Sequence, residues 1–205
     1  MRQRNPLRRA PRPSLDPPPA SSHPATLTIA TDAGNRSCSV VPHGSRDASV
    51  DVDMGTIPPP TRVRLDSPAA DLLVTSAGNP HAVSFSEITD DVFLSLGPLL
   101  SAHPRFPEGI NVEFASPIAH DRLRVRVWER GAGPTLACGT GACAAVAAAI
   151  HSGRLPHTPE VTVELPGGNL TVSWDPTTGN TRMTGPARRV FEGTAPWPWR
   201  LSSPA

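Results

Sequence analysis

The sequence contains no lysine, only three cysteines and no long run of apolar residues. All 19 basic residues are arginine, and 18 acidic residues balance them to a formal net charge of +1. We attribute the lack of lysine to the base composition of the coding sequence and draw no functional conclusion from it. No apolar run reaches the length of a signal peptide or of a membrane-spanning helix. The sequence therefore predicts a cytoplasmic protein without a membrane partner.

The cysteines are Cys38, Cys138 and Cys143, an odd number without the spacing of metal ligands. This pattern argues against a disulfide framework and against a zinc site, so no metal is predicted. If Cys138 and Cys143 both lie on one helix, they are about 140° apart around its axis. Cys143 is therefore expected to pack in the core. Cys38 has no glycine or charged neighbour beside it in a predicted strand, and is expected to be a core or edge thiol.

The first 25 residues differ in composition from the rest of the chain. Seven of the 26 prolines and five arginines lie within residues 1–24. Such a segment cannot bury enough apolar surface to offset the entropy of ordering it, so residues 1–25 are predicted to be a disordered arm. An arginine-rich arm could bind nucleic acid. No aromatic residue is interleaved with these arginines and the net charge is small, so no nucleic-acid partner is predicted.

Residues 137–153, ACGTGACAAVAAAIHSG, place one thiol beside two glycines at the start of a helix of small apolar residues. The run contains no proline and Gly153 supplies a stop, so a buried helix is predicted. Its first turn leaves backbone N–H groups unpaired, and Gly139 and Gly141 let a ligand such as a carboxylate approach them. The helix terminus is expected to lower the pKa of Cys138. The alternative is a glycine-rich turn with an inert buried cysteine.

Residues 72–85, LLVTSAGNPHAVSF, predict a strand, a tight turn and a second strand, with Asn79 and His81 in the turn. Because Asn79 precedes Pro80, its backbone is pushed out of the helical region and its amide can point into a cleft. An ordinary turn is the alternative. Residues 90–103 carry apolar side chains at helical spacing and predict an amphipathic helix that covers the sheet.

Residues 122–130, RLRVRVWER, alternate between apolar and charged side chains and predict a half-exposed strand. This strand ends in Glu129 and Arg130 directly before the glycine-rich run, an arrangement that places polar groups around a small ligand. A surface ion pair is the alternative. A shorter strand, INVEFA, carries Asn111 near its start. Three further strands after the helix are predicted to close an antiparallel sheet.

Taken together, these motifs resemble diaminopimelate epimerase, and its C-terminal half in particular. WERGAG followed closely by ACGTGA separates this family from the proline racemases and the phenazine-pathway isomerases. The matching segments are AGNPHAV (77–83), HPRFPEGINVEF (103–114), RVWERGAGPTLACGTGACAA (126–145), ELPGG (164–168) and MTGPARRVFEG (183–193).

The resemblance implies an α+β fold in which each of two similar lobes wraps a sheet around a central helix. For this sequence it implies one complete lobe, the C-terminal epimerase lobe, over residues 73–193. Residues 26–72 would be the remnant of a truncated N-terminal lobe, preceded by the arm of residues 1–25. Residues 194–205 are expected to be a tail.

The resemblance also implies a reaction and the residues that perform it. Two cysteines on opposite faces of an amino acid would exchange its α-proton, interconverting LL- and meso-diaminopimelate, a precursor of lysine and peptidoglycan, without a cofactor. Cys138 would be one of them, and the backbone N–H groups of Gly139 and Thr140 would hold the reacting carboxylate. The residues implied to bind substrate are Asn79, Asn111, Glu129 and Arg130, and those implied to tune the cysteine pKa are His81 and Glu129.

The second catalytic cysteine of the family, in a Cys-Gly-Asn-Gly context followed by its own helix, has no counterpart in this sequence. Cys38 lacks that loop, and Cys143 lies on the same helix as Cys138, so neither is expected to replace it. We therefore expect a truncated epimerase that is weakly active or inactive alone. The alternatives are a non-catalytic lobe or half-enzyme needing a separate N-terminal lobe, and a related isomerase or lyase with a single cysteine. A complete version is expected to be a homodimer.

Overall fold

A computed structural model describes residues 23–31, 34–86 and 89–193. Most of the predicted arm and all of the predicted tail, residues 1–22 and 194–205, lie outside these ranges, and the division of the chain into arm, remnant, lobe and tail stays a prediction. Within the ranges the chain forms twelve strands and two helices. They are β1 (Ala25–Thr31), β2 (Gly34–His43), β3 (Asp47–Thr56), β4 (Thr61–Asp66), β5 (Ala69–Ser76), β6 (Pro80–Ser84), α1 (Asp90–Ser101), β7 (Asn111–Ala119), β8 (Arg122–Glu129), β9 (Gly133–Thr135), α2 (Gly139–His151), β10 (Val161–Leu165), β11 (Gly168–Trp174) and β12 (Asn180–Arg188).

The strands form one mixed sheet, and the predicted α+β class is confirmed. Their order across the sheet is β1-β2-β3-β12-β11-β10-β8-β7-β6-β5-β4, and β9 pairs with β8 beside this path. The last three strands pair with one another antiparallel, as predicted, but β10 also pairs parallel with β8. A second parallel pair joins β6 and β7. Each parallel pair is connected through a helix, because parallel strands need a long crossover.

The connection between β3 and β4 shows that this sheet must curl strongly. The two strands are eight places apart in the sheet order, which would be about 38 Å in a flat sheet. Only residues 57–60 connect Thr56 to Thr61, and the five Cα–Cα steps from Thr56 to Thr61 reach at most about 19 Å. The sheet therefore wraps around until β4 comes close to the end of β3, leaving an enclosed space for a helix.

Hydrogen bonds fix this connection where the curled sheet meets itself. The indole Nε1 of Trp174 donates to the carbonyl of Ile57 at 3.0 Å, and the hydroxyl of Thr75 donates to the carbonyl of Pro58 at 2.7 Å. The backbone N–H of Ile57 donates to the carbonyl of Gly179 at 2.9 Å. Trp174 and Ile57 are both buried in the main core. Side chains from β5 and β11 thus hold the same short segment.

Helix α2 occupies the enclosed space and confirms the predicted helix of small residues. It contacts β5, β6, β7, β8, β10, β11 and β12, so strands surround it. A helix that is apolar on all sides belongs inside a core, and alanine side chains let the strands approach its backbone closely. The fully buried positions are Ala142, Cys143, Ala144, Ala145, Val146, Ala147, Ala148 and Ala149.

Helix α1 confirms the predicted amphipathic helix and packs on the other face of the sheet. The Thr89 hydroxyl accepts from the backbone N–H of Val92 at 3.3 Å and so caps its N-terminus. On β7, the even-numbered Val112 and Phe114 belong to the cluster beneath α1, whereas Ala115 belongs to the core around α2. Strand β7 is therefore covered on both sides. Within the described ranges, neither helix has the length and apolar character needed to cross a bilayer.

Candidate active site

Strand topology brings the predicted polar residues to one edge of the sheet. Because β6 and β7 are parallel, the N-terminal ends of the two strands lie side by side, and His81 is paired with Asn111. Because β7 and β8 are antiparallel, the start of β7 also meets the end of β8, and the backbone N–H of Arg130 donates to Asn111 Oδ1 at 2.9 Å. The short β9 leads from this edge to Cys138 and α2.

Cys138 is the N-cap of α2. Its backbone is extended, its Sγ accepts from the backbone N–H of Gly141 at 3.4 Å, and the Thr140 hydroxyl lies 3.5 Å from the same sulfur. The backbone N–H groups of Gly139 and Thr140 have no carbonyl one turn earlier in the helix to bond to. A Cβ at Gly139 would lie 3.0 Å from the Met183 side chain, so β12 closes one side of the helix start. The thiol and the two N–H groups therefore belong to the same end of α2.

The direction of the Cys138 pKa differs from the expectation. Burial raises the pKa of the Cys138 thiol above its ordinary value of 9.0, and the carboxylates of Glu113 and Glu129 add to this rise. Hydrogen bonds from Thr140 and Gly141 act in the opposite direction without cancelling it. The predicted effect of the helix terminus is present, since Gly141 supplies one of these bonds. It is outweighed because the sulfur is half-buried beside two acidic residues.

The rate of Cys138 alkylation by iodoacetamide is expected to follow a titration curve that rises with pH and has its midpoint above 9.0, because only the thiolate reacts. Peptide mass spectrometry distinguishes alkylation at Cys138 from alkylation at the buried Cys38 and Cys143. Thr140→Val should raise the midpoint further, since the Thr140 hydroxyl stabilises the thiolate. Ser152→Ala, at the opposite end of α2, is the control and should not move it. A midpoint below 9.0 would support the sequence-based expectation instead.

His81 connects Asn79 to the buried side chain of Glu113. Its Nδ1 lies 2.7 Å from Glu113 Oε1, and its Nε2 lies 2.9 Å from Asn79 Oδ1. His81 and Glu113 are both 0% exposed, whereas Asn79 is half-buried. The structure places Asn79 in the predicted turn but His81 one step inside β6. The histidine therefore reaches the surroundings of Cys138 through Glu113.

Asn111, Arg130 and Glu129 form the other side of the site. The Asn111 amide donates to the carbonyl of Pro80 at 3.1 Å, which joins the β7 start to the turn that carries Asn79. The Arg130 guanidinium donates to the carbonyl of Glu108 at 2.9 Å. Glu129 Oε1 accepts from the Thr135 hydroxyl at 2.8 Å, a contact made across the β8–β9 pair. Glu129 and Arg130 do not form an ion pair with each other.

Glu113 is a site residue that was not predicted from the sequence. This residue lies inside a run of β7 in which all of residues 111–115 are buried, two positions after Asn111 and on the same side of the strand. A Cβ added to Gly141 would lie 2.7 Å from Glu113 Oε1 and 3.2 Å from Cys138 Sγ, so the carboxyl and the thiol flank one glycine. The available signal was an acidic residue between the apolar residues Val112 and Phe114. Glycine at position 141 leaves room for both groups.

These contacts provide the elements of proton transfer at carbon. A sulfur atom can accept or donate a proton, backbone N–H groups at a helix start can stabilise negative charge on a neighbouring carboxylate, and amides and a carboxylate around them can orient a zwitterionic ligand. The roles assigned to Cys138, Gly139 and Thr140 stay predictions, as do those of the four residues predicted to bind substrate. The structure brings them to one edge of the sheet.

Comparison with known proteins identifies relatives of this chain. The family model for diaminopimelate epimerase matches residues 73–190. A diaminopimelate epimerase of Synechococcus sp. (strain JA-2-3B'a(2-13)) is 44% identical over 176 residues, 76% of this chain and 61% of that protein. The diaminopimelate epimerase of Synechococcus sp. (strain JA-3-3Ab) is 55% identical over 123 residues, 58% of this chain and 42% of that protein. The chain thus spans about 61% or less of these two relatives.

Solved structures with low sequence identity share the fold. A hydroxyproline epimerase from Agrobacterium vitis, solved with bound trans-4-OH-L-proline, superposes with a TM-score of 0.61 at 15% identity, covering 80% of this chain and 60% of that one. This likeness supports the assignment of the fold alone.

Proposed function

Because the chain belongs to the diaminopimelate epimerase family, we propose that its site binds diaminopimelate and uses Cys138 to move the proton on the α-carbon. The observation that carries this proposal is the position of the Cys138 sulfur at the start of α2, beside backbone N–H groups and the two acidic side chains. We further propose that the protein acts in the cytoplasm without a cofactor. In the complete reaction LL- and meso-diaminopimelate interconvert on the way to lysine and peptidoglycan.

Inversion at the α-carbon needs a proton taken from one face and one delivered to the other. Cys143 is fully buried in α2, and burial raises its pKa to about 12. Cys38 is buried in β2 and lies two strands away from Met183, the β12 residue whose side chain borders the start of α2. Neither thiol supports a role as the second acid. We propose that this chain alone exchanges the α-proton on one face, with retention of configuration and little conversion to the other isomer.

Incubation of the purified chain with LL-diaminopimelate and, separately, with meso-diaminopimelate in deuterated water tests this proposal, because a thiol on one face can exchange the α-proton of only one configuration. Mass spectrometry reports deuterium at the α-carbon, and chiral chromatography reports the ratio of isomers. Deuterium incorporation with retained configuration is the expected result. Efficient interconversion of the LL and meso isomers would contradict the single-thiol argument, and absence of exchange and binding with both isomers would contradict the proposed substrate.

A second candidate is a half-site that another polypeptide completes, either a separate N-terminal lobe or a second copy of the chain. Apolar side chains exposed on the surface favour it. Leu136, two residues before Cys138, is 70% exposed, and Leu27 and Ile29 on β1 are 50% and 49% exposed. Light scattering coupled to size-exclusion chromatography gives the mass in solution. A monomer at all concentrations would argue against association between copies, and restoration of inversion by an added N-terminal lobe would support a two-chain enzyme.

A further inference from the structure

Glu113 is the buried acidic residue that the proposed reaction leaves without a role. Its Oε1 lies 2.7 Å from His81 Nδ1, and its Oε2 has no hydrogen-bond partner among the described residues. A buried carboxylate without compensation is costly, so such a group is retained only where its interactions are satisfied or useful. Burial raises the pKa of Glu113, which favours the protonated carboxyl. Its contact with His81 bears on which imidazole nitrogen carries a hydrogen.

The contact between His81 and Asn79 fixes where the imidazole carries a hydrogen. Asn79 Oδ1 lies 2.9 Å from His81 Nε2, and an amide oxygen can only accept, so Nε2 carries a hydrogen. Two protonation states of the pair then satisfy the contact between His81 Nδ1 and Glu113 Oε1. Either Nδ1 accepts from a protonated Glu113, or the imidazole is charged and Nδ1 donates to the carboxylate. Both states hold one proton between Nδ1 and Oε1, and in both the pair has no net charge.

Turning the Asn79 amide around would leave the pair either charged or with an unpaired hydroxyl. Its Nδ2 would then donate to Nε2, and the histidine hydrogen would lie on Nδ1 and donate to Glu113 Oε1. If Glu113 were ionised, two side chains that are 0% exposed would carry one negative charge, which the Glu129 carboxylate would oppose. If Glu113 were protonated, its hydrogen would lie on Oε2, which has no hydrogen-bond partner among the described residues, and a buried donor would be left unpaired. The arrangement with Oδ1 bonded to His81 avoids both costs.

We propose that Glu113 is a positioning residue that keeps a hydrogen on His81 Nε2 and thereby turns the amide N–H groups of Asn79 toward the substrate. With Oδ1 bonded to His81, both Nδ2 hydrogens of the half-buried Asn79 point away from the histidine, and no described residue accepts them. They suit an acceptor such as a carboxylate oxygen and not an ammonium group. The substrate half of this inference rests on the proposed function, whereas the proton on His81 does not.

The imidazole hydrogens can be observed directly by NMR on chain labelled with ¹⁵N-histidine. Long-range ¹⁵N–¹H correlation at neutral pH is expected to show a protonated Nε2 for His81 before any ligand is added. In Glu113→Leu the partner of Nδ1 is lost, so the Nε2 hydrogen is expected to be lost or shared between tautomers. In Glu113→Gln the amide can donate to Nδ1 as a protonated carboxyl does, so the wild-type signature should return.

Diaminopimelate binding, measured by calorimetry, supplies the second readout. Glu113→Leu is expected to weaken binding about tenfold, the scale of one hydrogen bond to a charged group, and Glu113→Gln should recover most of this loss. Thr181→Val is the matched control. It removes the hydroxyl bond of another buried polar residue, which donates to the Gly179 carbonyl at 2.9 Å, and should leave the His81 spectrum unchanged.

The outcomes separate this inference from the proposed function. A wild-type His81 that carries its hydrogen on Nδ1 alone would overturn the positioning role, as would an unchanged spectrum and unchanged binding in Glu113→Leu. If the spectra follow the expected pattern but the chain does not bind diaminopimelate, the proton on His81 stands and the substrate assignment fails.

Discussion

Replacing Cys138 by serine is expected to lower the exchange of deuterium into the α-position of diaminopimelate at least about 100-fold, the lower end of what a positioned acid or base contributes. A serine hydroxyl at this position would be too weak a base to remove the proton. The fold should survive, since serine is a favoured N-cap and can accept from the Gly141 N–H as the sulfur does. Deuterium incorporation followed by mass spectrometry measures the rate, and circular dichroism measures the melting temperature.

Cys143→Ala is the matched control for this substitution. It removes the other thiol of α2, which is fully buried and does not take part in the proposed chemistry. Exchange should persist in this variant, at a small cost in stability from the lost sulfur. Loss of exchange in Cys143→Ala but not in Cys138→Ser would reverse the assignment. Exchange that persists in both variants would indicate a base other than a thiol, and Glu129 would then be the first group to test.

Elements that depend on local pattern could be predicted from the sequence. The small-residue run that forms α2, the alternation of β8 and the helical spacing of α1 each specify one face or one period of apolar side chains, and the structure contains all three. Three of the candidate site residues lie where such a pattern ends or the backbone is restricted. Glu129 closes an alternating strand, Asn79 precedes a proline, and Cys138 precedes the helix.

Features that depend on long-range geometry could not be predicted in this way. The curl of the sheet follows from where β3 and β4 lie in the strand order, which no local pattern encodes. The rise in the Cys138 pKa depends on burial and on the carboxyl of Glu113, which comes from a strand 25 residues earlier in the chain. Glu113 itself looked like one polar residue in a short strand. Its partner His81 lies 32 residues away in sequence.

We expect the largest loss of stability from a substitution at the segment where the curled sheet meets itself. Trp174→Ala is expected to lower the free energy of unfolding by about 4 kcal/mol, as for other tryptophans removed from a core. In a chain of this size the melting temperature should fall by about 10 °C. Trp174 is 1% exposed, and its removal leaves both a cavity beside α2 and an unpaired carbonyl at Ile57. Thermal and urea unfolding monitored by circular dichroism measure the loss.

Two further variants separate the causes of this loss. Trp174→Phe keeps most of the volume but removes the Nε1 donor to Ile57, so it should cost about 1–2 kcal/mol, the penalty for an unsatisfied buried carbonyl. Trp128→Ala makes the same truncation at a half-buried tryptophan packed beneath α1 and should cost less than Trp174→Ala. If Trp174→Ala proved no more destabilising than Trp128→Ala, the contact at Ile57 would not be what holds the sheet closed around α2.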